Sequence, residues 1–99
     1  MVAIAAICLN PYVKMKHHAL LQMFVQKEKR GKGVGSYLLQ KMEGIARDEH
    51  KLKWIDIEIY DSPYRKWFEK RGFYLCVEQK KFLKSSGKYK ARQILRKDL

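Results

Sequence analysis

The hydrophobic and polar positions of this 99-residue chain follow two periods, one typical of strands and one typical of helices. Small and β-branched residues fill positions 2–9, and a second apolar run occupies 19–25, so we expect two neighbouring antiparallel strands. From 34 to 49, apolar residues instead recur at the spacing of an amphipathic helix. The first half of the chain therefore predicts two strands followed by a helix.

The next segment predicts a strand and a short helix. Residues 54–61 alternate between isoleucine and polar side chains, as in a strand with one buried face. Ser62 and Pro63 then supply an N-cap and a first helical residue, and Gly72 ends the helix that follows.

Two further runs, 73–83 and 89–97, flank the turn sequence SSGK and predict an antiparallel hairpin. The full order is β-β-α-β-α-β-β, which indicates an α/β fold with a mixed sheet and two helices. We expect residues 1–99 to form a single domain, because that length is typical of one.

The charge of the chain limits its partners. Twenty-two Lys and Arg against ten Asp and Glu give a net charge of +12. Such a field attracts polyanions, which include phosphorylated cofactors, acidic proteins and nucleic acid. The charge alone does not distinguish among them.

The two cysteines and the opening segment indicate the compartment. Cys8 and Cys76 lack CxxC spacing, so no metal is expected, and we predict both to be small core residues in a reducing cytoplasm. Residues 1–9 have the length of a secretory apolar segment, but no positive residue precedes them and no small-residue cleavage site follows. Since no other apolar run approaches the ~20 residues of a membrane helix, we expect a soluble cytoplasmic protein.

A glycine-rich loop, RGKGVGS at 30–36, lies between the second predicted strand and the helix. It lacks the GxxxxGK[ST] pattern of a Walker A loop, and the GxGxxG dinucleotide pattern that starts at Gly31 and Gly33 meets Ser36 instead of its third glycine. Glycines before a helix still let backbone N–H groups surround an anion. The loop therefore predicts a pyrophosphate site, with a ligand-free glycine turn as the alternative.

Two ordered motifs resemble the GNAT family of acetyltransferases. Arg30, Gly33 and Gly35 occupy the fixed positions of that family's Q/R-x-x-G-x-G/A signature. WFEKRGF, at 67–73, is similar to the family's FYEKxGF segment and lies at the expected distance. The resemblance covers residues 2–99 and implies a GNAT-like acyltransferase fold with acetyl-CoA as cofactor.

The resemblance also implies how the cofactor is held. A backbone N–H near the end of the second strand would polarise the thioester carbonyl, and the glycine loop would hold the pyrophosphate. Lys27 and Lys29 add positive charge beside the loop. The cofactor-binding residues implied are Phe24, Val25, Arg30, Gly31, Lys32, Gly33, Val34, Gly35, Ser36 and Phe68.

The implied reaction is direct acetyl transfer to an amine. An amine of pKa about 10 arrives protonated and requires a base. Glu58, on the polar face of its strand, is the first candidate and His18 the second, with a solvated strand face and a plain loop residue as their alternatives. Phe68 stands where the family carries the tyrosine that protonates the leaving thiolate. Tyr64, one helical turn earlier, is the candidate acid, with a core aromatic as its alternative.

Departures from the family keep other functions open. Residue 1 falls at the family's third strand, so we expect a homodimer to cover an unpaired sheet edge. A catalytically silent acyl-CoA-binding module is one alternative, suggested by Phe68. Another is a nucleic-acid or ribosome-associated protein, since residues 80–99 contain eight Lys and Arg against one acidic residue. The acceptor amine, a small molecule or a protein, is not specified by the sequence.

Overall fold

The computed structural model describes residues 3–9, 15, 17–25 and 33–99. Five strands form one sheet in the order β1-β2-β3-β5-β4. This mixed α+β sheet with two helices confirms the predicted fold class. The elements are β1 (Ala3–Leu9), β2 (His18–Val25), α1 (Val34–Gly44), β3 (Trp54–Tyr60), α2 (Arg65–Glu69), β4 (Tyr74–Ser85) and β5 (Lys88–Asp98).

The chain divides into two compact units, residues 1–55 with Leu99 and residues 56–98. In the first unit β1 and β2 are antiparallel, from the pair Ala3 and Val25 to the pair Leu9 and Ala19. Helix α1 contacts β1. The buried apolar residues described in this unit come from β2, from α1, from the segment between α1 and β3, and from β3 itself; they are Ala19, Leu21, Leu39, Ala46, Leu52 and Ile55.

The predicted helix over 34–49 changes geometry part-way. After Gly44 the chain forms a π-helical turn, Ile45–Glu49, which closes with a hydrogen bond of 3.2 Å from the His50 N–H to the Ile45 carbonyl. The wider turn begins directly after a glycine, the weakest helix former apart from proline. Ala46 within it is fully buried, so the turn still contributes to the core.

The second unit contains most of β3, helix α2 and the hairpin of β4 and β5. Ile57, Phe73 and Leu95 are its buried apolar residues among those described, and Gln93 is a buried polar residue. Ser86 and Gly87 both have positive φ, 51° and 77°, which suits the two-residue turn of a tight hairpin.

Helix α2 begins later than predicted. It starts at Arg65 and not at Pro63, because a separate turn precedes it. In that turn the Ser62 hydroxyl accepts a hydrogen bond of 3.1 Å from the Tyr64 N–H, and the Ser62 carbonyl accepts one of 3.3 Å from the Arg65 N–H. Gly72 ends the segment as predicted, with φ 97°.

The prediction that both cysteines are core residues is wrong. Cys8 and Cys76 are exposed free thiols. Cys8 lies on β1 and Cys76 on β4, the two edge strands of the described sheet. Cys76 also falls at a register shift between Leu75 and Val77, where one residue of β4 has no partner on β5. No described helix combines the length and apolar character needed to span a membrane.

Candidate active site

The N-terminus of α1 has the form of an anion site. Gly33 adopts a left-handed conformation, φ 79° and ψ 0°, and its carbonyl accepts a hydrogen bond of 3.0 Å from the Tyr37 N–H. Within the part of the chain that the structure describes, no side chain caps the helix, and its first turn carries no acidic residue. Val34, Gly35 and Ser36 therefore present their N–H groups at the positive end of the helix dipole.

The described residues leave space beside this helix terminus. A Cβ built at Gly33 would meet none of their atoms within 4 Å, so the positive φ is what favours glycine here. A pyrophosphate fits this arrangement, because it needs both N–H donors and room next to the backbone. Of the predicted loop residues, Arg30, Gly31 and Lys32 lie outside the described residues.

The predicted carbonyl-polarising residues lie at the end of β2. Phe24 pairs with Ile4 and Val25 with Ala3 in the β1–β2 ladder. The Phe24 side chain is 54% exposed, which leaves ring surface available to a ligand. Both residues are thus at the strand end where the sequence predicted a cofactor contact.

Glu58, the first candidate base, is held by two donors. The Arg92 guanidinium donates to its Oε2 at 3.1 Å, and the Tyr60 hydroxyl donates to its Oε1. The side chains of Glu58 and Arg92 are 27% and 23% exposed, so the pair is mostly shielded from solvent. Glu58 is therefore not a freely solvated side chain. Each carboxylate oxygen has a second lone pair with which to accept a proton.

A second carboxylate on the same face of β3 is also paired with arginine. The Arg96 guanidinium donates to both oxygens of Asp56, at 2.8 and 3.2 Å. This hydrogen bonding to Asp56 raises the pKa of Arg96 above its usual range. Arg92 and Arg96 thus fix the two carboxylates of β3 in place. The sequence did not single out either arginine, because each lies over 30 residues from its partner.

Tyr64, the candidate acid, precedes α2 and is 45% exposed. This exposure argues against a core aromatic and suits a hydroxyl that reaches a ligand. Its carbonyl accepts a hydrogen bond of 3.1 Å from the Phe68 N–H. The Phe68 ring contacts Trp67 and Phe73 edge to face, with centroids 4.9 and 5.4 Å apart. Phe68 therefore packs within an aromatic cluster and carries no hydroxyl.

His18, the second candidate base, belongs to a different cluster. Its ring stacks on Trp54 with centroids 5.1 Å apart, and the His17 ring lies edge-on to both. The His17 carbonyl also accepts a hydrogen bond of 2.6 Å from the Lys53 N–H. The two histidines thus help to fix the start of β2 against the start of β3.

Two hydrogen bonds join Asp61 and Gln93 at the end of β3, and the sequence did not predict this pair. The Gln93 amide donates to Asp61 Oδ1 at 2.8 Å, and its Oε1 accepts from the Asp61 N–H at 3.0 Å. Asp61 Oδ2 accepts from the Ala91 N–H at 2.7 Å. The hydrogen bond from Gln93, followed by that from Ala91, lowers the pKa of Asp61 below 3.8. Asp61 has a positive φ of 45°, so the chain turns at this residue as it leaves β3.

We expect Asp61→Asn to lower the midpoint of thermal unfolding at pH 7. Asparagine tolerates the left-handed backbone, but its amide turns a donor towards Ala91 or Gln93, which are themselves donors. The pKa of Asp61 is lowered on folding, so its ionised carboxylate stabilises the folded state. That stabilisation is fully present above pH 3.8 and is lost as the pH falls through the folded-state pKa.

The difference between the wild type and Asp61→Asn should therefore shrink below pH 3.8 in melting curves recorded from pH 7 to pH 2. The control is Asp48→Asn, because the Asp48 side chain is exposed and forms a salt bridge of 3.2 Å with the likewise exposed side chain of its neighbour Arg47. If the difference in unfolding midpoint stayed constant down to pH 2, the Asp61 carboxylate would not be the source of the lost stability.

The model of the GNAT acetyltransferase family matches residues 2–73. The chain belongs to this family. The match includes the glycine loop, β3 and α2, so the family resemblance inferred from the two motifs is confirmed. The cofactor of GNAT enzymes is acetyl-CoA. No curated protein matches the sequence.

Solved structures agree with this membership. A candidate phosphinothricin N-acetyltransferase is 28% identical, with a TM-score of 0.88, and the match covers 99% of this chain and 63% of that one. A ribosomal-protein-alanine N-acetyltransferase from Brucella melitensis is 24% identical, with a TM-score of 0.82 and coverage of 99% and 62%. A candidate acetyltransferase from Salmonella typhimurium, solved with acetyl-CoA, is 15% identical, with a TM-score of 0.84 and coverage of 99% and 58%.

The last two similarities show the GNAT fold alone. This GNAT chain spans about three fifths of the length of the three solved structures. Among the described residues, no group of three or more His, Cys, Asp or Glu could hold a metal ion.

Proposed function

We propose that this GNAT chain is an N-acetyltransferase that moves the acetyl group of acetyl-CoA to an amine by direct attack. The observation that carries the proposal is the N-terminus of α1, where a left-handed Gly33 precedes a first turn that no side chain of the described residues caps or crowds. An anion site of this form, in a chain of this family, supports binding of the cofactor pyrophosphate.

The cofactor, when bound, supplies an activated thioester. The N–H groups of Val34, Gly35 and Ser36 would bind the pyrophosphate, together with Arg30, Gly31 and Lys32 of the preceding loop. A backbone N–H at Phe24 or Val25 would polarise the thioester carbonyl. Phe68, which is half-buried, would pack against the cofactor.

Glu58 is the proposed base and Tyr64 the proposed acid. An ammonium group cannot attack a carbonyl, so a carboxylate oxygen of Glu58 takes up the proton of the incoming amine. Arg92 and Tyr60 keep that carboxylate in one orientation during the transfer. The Tyr64 hydroxyl gives a proton to the sulfur that leaves.

The basic hairpin favours this reaction over nucleic-acid binding. Tyr89, one of two aromatic residues in the basic segment 80–99, lies under the ammonium groups of Lys81 and Lys84, at 5.8 and 5.6 Å from its ring centroid. Stacking of a base on that ring would compete with these contacts. A homodimer is also part of the proposal, because β1 and β4 are the edge strands of the described sheet and a second copy could extend either of them.

Calorimetric titration with acetyl-CoA tests the cofactor site. We expect Gly33→Asp to weaken binding at least tenfold, because its carboxylate would occupy the place of the pyrophosphate and repel it. Aspartate tolerates left-handed φ and caps helix N-termini, so α1 should persist.

Gly44→Asp is the matched control. Gly44 also has open space around it but lies at the other end of α1, so the same added charge should leave binding unchanged. NAD should bind neither protein. Equal binding by the wild type and Gly33→Asp would refute the assignment of the site. Binding without acetyl transfer to any amine would favour the silent acyl-CoA-binding module.

A further inference from the structure

We propose that Phe82, displaced from the ladder by a bulge in β4, selects acceptor amines that carry an aromatic ring near the nitrogen. The inference rests on the proposed acetyl transfer and adds the chemical class of its acceptor. It depends on three observations within residues 56–98: the bulge, the ring contacts of Phe82, and their link to Glu58.

The bulge is a large interruption of the β4–β5 ladder. Gln79 pairs with Arg92 and Leu83 with Lys90, so three residues of β4 oppose the single residue Ala91. Lys81, at the middle of the insertion, has a φ of 53°. A left-handed lysine is a strained backbone and persists only where the surroundings fix it. Bulges of this kind re-aim side chains, often beside functional sites.

Phe82 is the residue of the bulge whose side chain is redirected. Its ring stacks against Tyr60, with centroids 6.0 Å apart and planes 27° apart. The Arg92 guanidinium lies 5.4 Å from the centre of the same ring. Tyr60 and Arg92 are the two residues that donate to the Glu58 carboxylate. Phe82 therefore packs on both supports of the proposed base.

Phe82 remains 50% exposed despite these contacts. A phenylalanine with this exposure, held by a strained bulge, offers a fixed apolar surface to a ligand. An amine at Glu58 would bring its first substituents close to that ring. Aromatic substituents would gain from burial and ring contact, whereas a methyl group is too short to use the surface.

The inference is tested by measuring acetyl transfer from acetyl-CoA to benzylamine and to methylamine. The free thiol that the reaction releases is the readout. We expect Phe82→Ala to lower kcat/KM for benzylamine about tenfold more than kcat/KM for methylamine, with the additional loss mostly in KM. Phe82→Tyr should retain the preference for benzylamine, because it keeps the ring.

Tyr74→Ala is the matched control. Tyr74 is an exposed aromatic residue at the other end of β4, where its hydroxyl lies 3.5 Å from the Asp98 carboxylate. Its removal should leave the ratio of the two amines unchanged. An active wild type that does not prefer benzylamine, or whose preference survives Phe82→Ala, would overturn this inference alone. A wild type that acetylates no amine would overturn the proposed function and this inference together.

Discussion

Replacement of Glu58 by glutamine should lower kcat for acetyl transfer by about 10²–10⁴-fold, the range typical of losing a general base. Glutamine has nearly the same size, but its amide cannot take up the proton of the amine. The loss should appear in single-turnover measurements at saturating acetyl-CoA. The Kd for acetyl-CoA should stay within about twofold, since Glu58 is proposed to act on the acceptor.

The control for this prediction lies on the same face of the same strand. Asp56 pairs with Arg96 as Glu58 pairs with Arg92, and the Asp56 side chain is 14% exposed. Asp56→Asn therefore also breaks a shielded carboxylate–arginine pair, but at a residue with no proposed chemical role. If both variants lost activity equally, the effect would come from disruption of the sheet, and Glu58 would not be the base.

The fold was largely predictable because its signals are local. The alternation over 54–61 and the helical spacing after Gly33 depend on residues next to one another, and β3 and α1 form where those patterns occur. The observed helices differ from the predicted ones where two local preferences compete. The turn closed by Ser62 delays α2, and Gly44 precedes the change from α-helix to π-helix.

The candidate site was predictable only in part, because several of its contacts join distant segments. Gly33 could be identified from the loop motif, and Glu58 from the polar face of its strand. Arg92 could not, since it lies 34 residues from Glu58 and meets it only because β5 is the neighbour of β3. Gln93 was hidden for the same reason, as its partner Asp61 is 32 residues away. The hydroxyl of Tyr60, two residues from Glu58 on one strand face, was the one local signal left unused.

The positions of the cysteines illustrate the limits of residue type as a guide to burial. Cysteine is commonly buried, which led to the wrong expectation for Cys8 and Cys76. The position of the strand in the sheet decides whether the cysteine is buried. β4 lies at an edge of the described sheet, and each of its residues except Leu83 is exposed. Composition gives no information about which strand lies at an edge.

Replacement of Leu95 by alanine should lower the free energy of unfolding by about 3 kcal/mol, within the range measured for buried leucines. Leu95 lies on β5, between β3 and β4, and is fully buried. Alanine leaves a cavity that a sheet with neighbours on both sides closes poorly. Urea unfolding should show a lower midpoint with an unchanged slope. Acetyl transfer should persist at temperatures where the variant remains folded, because Leu95 has no proposed chemical role.

The matched control is Leu75→Ala, since Leu75 is the cross-strand partner of Leu95 on β4. Leu75 is 38% exposed, because β4 lies at the edge of the described sheet. The same deletion there should cost about 1 kcal/mol or less, as expected for a partly exposed position. Equal losses at the two positions would mean that β4 is covered in solution, as it would be if a second copy of the chain paired along that edge. A larger loss at Leu95 would instead place the core of this unit on β5 and leave β4 exposed.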